Sequence, residues 1–215
     1  MKLTFLAIAA AMLSFGAQVQ AATVQFAISG PGVSGHIQLT YGAETDAKYP
    51  GAYKVTDISG KFSDSNNGLN IVDAEILSLV AIKEDTPEPQ NLLAPKSFSR
   101  FAVAQGTDHG SLSYSNLFWP GGSPQTATDY VPHGGFLDIY GLMFNIAGDR
   151  VVNLWSDGDM GNGITYGLAV ATPDQVLDYA FSGVNVAQVP VPAGAGLLGA
   201  ALAGLAAVRR RSKAA

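Results

Sequence analysis

From the third decade of the chain onward, apolar side chains recur at every second position. Val24, Phe26 and Ile28 share one face, and after a Gly/Pro/Ser turn at Ser29 to Gly35 the same period resumes at Ile37, Leu39 and Tyr41. A period of two is the mark of a strand with one buried face. Tyr53 and Val55 continue it, but the parity changes before Ile58 and Phe62. The clearest case is ITYGLAVA, where Ile164, Tyr166, Leu168 and Val170 face one way and Thr165, Gly167, Ala169 and Ala171 the other. In GGFLDIYGLMFNI, Leu137 and Ile139 are odd while Leu142, Phe144 and Ile146 are even, so a bulge or bend near Gly141 would restore one buried face.

Turn signals separate these runs at Asp64 to Gly68, Ala147 to Arg150 and Ser156 to Gly163. Many short strands with such spacing predict an all-β domain, an antiparallel β-sandwich or barrel; the pattern does not choose between the two. Glu84 to Ser97, rich in proline and charge, reads as an exposed loop joining two halves. Thr172, Pro173, Asp174 and Gln175 resemble a capping box, but a strand from Asp178 to Val186 competes with a helix there and is preferred.

The two ends break the alternation. Residues 1–21 carry Lys2, an apolar stretch from Leu3 to Phe15 and a small-residue exit at Val19, Gln20 and Ala21, which predicts a secretory signal-peptide helix handled by the Sec machinery and signal peptidase. Its apolar run falls short of the ~20 residues that a bilayer core requires. At the other end, Ala193 to Val208 holds only Ala, Gly, Leu and Val. As a helix it would rise about 24 Å, close to a hydrocarbon core of ~30 Å, and flanking side chains can snorkel across the remainder. It predicts a C-terminal transmembrane helix. Arg209, Arg210, Arg211 and Lys213 come directly after it, and a basic cluster stays cytoplasmic, so the body is held outside. The chain therefore divides into a signal peptide at 1–21, an exported all-β domain at 22–188 and a tail at 189–215.

Val189, Pro190, Val191, Pro192 and Ala193, then the Gly/Ala/Leu span, then the arginine run, occur in that order at the end of the chain. The prolines keep the stretch extended, as a processing enzyme needs to grip it. This tail resembles the PEP-CTERM sorting signal in its VPLPA-type variant. Val191 stands where the commoner form of the motif has Glu. The resemblance implies a Gram-negative bacterium, recognition by a membrane protease-transpeptidase of the exosortase type, transit in the membrane, and release or attachment at the outer envelope, often alongside exopolysaccharide and biofilm production.

Charge sharpens the choice of partners. The body from Ala22 to Gln188 carries 7 basic and 17 acidic residues. Such a body repels phosphate backbones and anionic headgroups, which excludes nucleic acid and leaves cations or polysaccharide. The chain has no cysteine, so there is no disulfide framework, thiolate nucleophile or sulfur-built zinc site.

Candidate chemistry is sparse. His36 lies on the outward face of its strand; His109 and His133 sit in glycine-flanked loops. His133 precedes two glycines, an oxyanion-hole element in some esterases, yet Gly-x-Ser-x-Gly is absent. Asp157, Asp159 and Asn162 offer oxygens from one glycine-rich turn, a calcium arrangement whose spacing departs from the EF-hand and which a plain hairpin turn also explains; Asp64 and Asn66 are a lesser case. Phe118, Trp119 and Tyr130 lie in a Gly/Pro-rich loop, where aromatic faces could stack on sugar rings or simply plug an open end of the sheet. No cofactor is expected. The reading is a non-enzymatic surface or matrix protein, with an extracellular carbohydrate-binding module or a small secreted hydrolase as alternatives.

Overall fold

The computed structural model describes residues 21–82, 112–127, 130–172 and 175–190. Nine strands occur there: β1 (Ala22–Gly30), β2 (Val33–Thr45), β3 (Tyr53–Asp64), β4 (Ile71–Leu79), β5 (Leu117–Phe118), β6 (Leu142–Ile146), β7 (Arg150–Asp159), β8 (Ile164–Ala171) and β9 (Val176–Val189). A single 3-10 turn, Asn66–Gly68, lies between β3 and β4. Apart from β5, each strand pairs antiparallel with the next, and β9 returns to pair with β1. The result is a closed, eight-stranded up-and-down barrel in which each of the eight has a neighbour on both sides, with β5 added at the start of β3. Of the two closures that the alternation leaves open, the chain adopts the barrel. The segments expected to form a signal-peptide helix and a C-terminal transmembrane helix lie outside the described residues. Among the described residues no helix is long and apolar enough to cross a membrane.

An eight-stranded barrel is just wide enough for side chains to fill. Val24, Phe26, Ile28, Ile37, Leu39, Leu154, Leu168 and Val170 belong to that filling, with Phe62 and Phe144 among the largest members. The parity change in β3 is a bulge: Tyr41 faces Val55 but Thr40 faces Asp57, so Thr56 is the extra residue and both Val55 and Ile58 point inward.

A second apolar cluster lies outside the barrel. Leu112, Tyr114, Ala127, Ile139 and Tyr140 pack with Met143, Val151, Trp155, Ala169 and Ala171, which occupy the outer faces of β6, β7 and β8. Both faces of β7 are therefore covered, and every residue from Val151 to Gly158 is buried. The Gly135 to Ile146 run departs from one bent strand. Only Leu142–Ile146 is strand; Leu137 turns into the barrel while Ile139 joins the outer cluster. Gly141, at φ +70°, makes the corner, and a Cβ there would sit 2.0 Å from the Leu154 carbonyl oxygen. The Asp138 carboxylate holds the corner by accepting the N–H groups of Tyr140 and Gly141.

The turn expected at Ser156 to Gly163 is shorter than its glycines imply. β7 runs on to Asp159, which faces Ile164, so the loop is confined to 160–163. Ala147 to Arg150 is a hairpin turn, with Ile146 opposite Arg150.

Candidate functional site

The start of the body and its exit lie at one end of the barrel. Gln25 is the register partner of Val189 and Phe26 that of Gln188. Because the strands are antiparallel, Ala22 and Pro190 lie toward that same end. Pro190 has no N–H to donate and comes after the last ladder residue, Val189, which is exposed. Val191, Pro192, Ala193, Arg209, Arg210, Arg211 and Lys213 lie outside the described residues.

The same end is closed by aromatic rings. Phe118 is 2% exposed and packs 4.9 Å from Tyr41, 5.9 Å from Phe26 and 6.5 Å from Phe136, measured between ring centroids. β5 holds it there by pairing with the start of β3, with Phe118 opposite Tyr53. Trp119 is equally buried but turns the other way, onto Ala52, Leu117 and the ring of Tyr49. Its buried indole N–H has no acceptor among the described residues. The indole borders an open groove of about 520 Å³ shared with Pro50, Gly122, Ser123 and the exposed His133. Tyr130 belongs to the outer cluster, and its hydroxyl donates to the Asp157 carbonyl at 3.0 Å. Phe118, Trp119 and Tyr130 thus pack into three different apolar clusters and form no shared platform.

The oxygens of the 157–162 loop are dispersed as well. Asp157 sits at a β7 bulge, fully buried, and accepts the Trp155 indole N–H at 2.8 Å; the Trp155 ring stacks on Tyr179 at 5.5 Å. Burial pushes its carboxyl up to about 7. Asp159 Oδ1 instead accepts the backbone N–H groups of Gly161 and Gly163, which folds the loop, while Asn162 is exposed. No group of three His, Cys, Asp or Glu side chains able to hold a metal occurs among the described residues.

His36 is exposed on the outer face of β2, and the Nδ1 of His133 lies 3.1 Å from the Val131 carbonyl. His109 lies outside the described residues.

Two polar constellations have no signature in the spacing of the chain, although Asp64 and Asn66 of the second stand together in one turn. Asn116, in the left-handed region at φ 52°, stitches the barrel wall where β3 and β4 part beyond Gly60 and Ile76. Its carbonyl accepts from Val55, its amide donates to the Val80 carbonyl, and its side-chain oxygen accepts from the Met143 N–H. A cleft of about 500 Å³ opens beside it, lined by Lys54, Asp57, Ser78 and Ile82. Left-handed Asn is a recognisable turn residue, but only the fold shows three strands within its reach. At the far end of the barrel Asp64 and Asp178 face each other, both buried. They come from β3 and β9, and no spacing in the sequence connects them.

Comparison with protein-family models, with curated proteins and with solved structures found no match.

Proposed function

We propose that the barrel is the displayed cargo of an export and sorting route. In this reading the signal peptide is removed near Ala21, an exosortase-like membrane enzyme reads Val189 to Ala193, and the domain ends at the outer envelope or outside the cell, in a surface or matrix role with no reaction of its own. The observation that carries it is the pairing of Gln25 with Val189. Both segments to be processed leave the same end of a closed domain, so one approach to the membrane serves both. Val189, the last ladder residue, is exposed, and Pro190 after it cannot continue the ladder, which supports access by a protease from this end. Deleting residues 189–215 tests this in the native host: the exported domain should then be found in a different compartment from the wild type, and identical handling of the two would refute the sorting role.

A second reading, polysaccharide binding, draws on the open groove bordered by Trp119, Ser123 and His133. Saturable binding on a glycan array, lost in Trp119→Ala, would establish it.

A further inference from the structure

The barrel end opposite the chain termini carries an acidic pair with no countercharge. Asp64, the last residue of β3, is 0% exposed, and Asp178, near the start of β9, is 2% exposed. Both point inward, since Asp64 stands opposite the core residue Ile71 and Asp178 opposite the core residue Val170. No basic side chain pairs with either among the described residues. Two buried carboxylates in contact are costly unless a proton or a cation lies between them.

The one oxygen of the pair left without a donor favours a cation. Asp64 Oδ1 accepts the Asn66 N–H at 2.8 Å, but the buried Oδ2 has no donor among the described residues. The 3-10 turn folds over the pair and lays two amides against it: Asn66 Nδ2 reaches the Pro31 carbonyl at 3.0 Å and Asp178 Oδ2 at 3.4 Å, and Asn67 donates to Asp178 Oδ1. A half-turn about the last side-chain bond exchanges the amide nitrogen for its oxygen. The same two side chains that now donate to Asp178 can thus present acceptors to a metal.

We propose that Asp64, Asp178, Asn66 and Asn67 form a calcium site that ties the β3–β4 turn to the start of β9. Asp64 Oδ2 and the Asp178 carboxylate are the anionic ligands, the two rotated amides add neutral oxygens, and water completes a shell of about six to eight. Oxygen-only ligation of mixed charge suits calcium, whereas magnesium demands a stricter octahedron and retains its own water. The site lies at the other end of the barrel from the 160–163 loop, so the two can be separated by mutation.

The test is thermal unfolding and calorimetric titration of the full chain in detergent, with calcium, with magnesium and with chelator. Calcium should raise Tm over the chelated protein by an amount that keeps growing with the logarithm of its concentration above saturation, and magnesium should do so much less. Asp64→Asn and Asp178→Asn should each weaken calcium binding at least ~10-fold, whereas Asp159→Asn should leave it unchanged. An identical wild-type Tm with calcium and with chelator overturns the proposal without reference to any variant. So does a calcium response that survives in the Asp64→Asn/Asp178→Asn double variant or vanishes in Asp159→Asn.

Discussion

Trp155 donates its indole N–H to Asp157, 2.8 Å away and only two residues on, inside a layer where neither side chain meets solvent. The bond favours the charged carboxylate, but burial outweighs it and pushes the group from 3.8 to about 7. Folding therefore favours the protonated acid. The contribution of this group is fully present below about pH 4, declines as the unfolded chain ionises while the folded one does not, and is gone once the pH passes about 7. Asp157→Asn removes the titration. We expect its Tm to exceed that of the wild type by about 3 °C or more at pH 8, roughly what 1 kcal/mol produces in a domain of this size, and the gap to close at pH 4. Melting curves at the two pH values check this.

Phe118 closes the barrel end as a plug, so its removal leaves a hole against Phe26, Tyr41 and Phe136. Phe118→Ala should destabilise the domain by ~3 to 5 kcal/mol, read from the midpoint of urea unfolding at unchanged slope. Val72, 73% exposed, is the control, and Val72→Ala should change stability by less than ~0.5 kcal/mol.

The wall stitch at Asn116 separates backbone from side-chain effects. Asn116→Ala leaves the Val80 carbonyl and the Met143 N–H without partners and puts a poorly suited residue in a left-handed position. A cost of ~2 to 4 kcal/mol is expected. Asn116→Gly lacks both side-chain bonds but tolerates the left-handed backbone, so it should fall between alanine and wild type in the same unfolding experiment.

How far the fold can be read from the chain depends on which faces are wet. β1 and β2 alternate cleanly because their outer faces, with Gln25, His36 and Gln38, meet solvent, so Val24 to Ile28 and Ile37 to Tyr41 are readable as inward rows. The parity break before Ile58 is equally readable as an irregularity, and Thr56 is its cause. β7 is hidden: with both faces covered, VVNLWSDG shows no period of two, and its glycines suggest a turn that begins at Ser156. The barrel rather than the sandwich is beyond reach because closure rests on one pairing between the first and last strands. The same distance in sequence hides the meeting of Asp64 with Asp178. The loop candidates are visible only as residue types; what the fold adds is that Phe118, Trp119 and Tyr130 point into separate clusters, and that Asp157 and Asp159 serve a tryptophan and a turn.

If this barrel is cargo trimmed at both of its adjacent ends, intact-mass measurement of the protein recovered outside the native host's inner membrane should reveal it without further manipulation. The expected species begins at or next to Ala22, lacks the arginine-rich tail and ends near Val189 to Ala193, bare or joined to an envelope component. A mature protein still carrying Arg209, Arg210 and Arg211 unmodified would refute the trimming, and with it the sorting role.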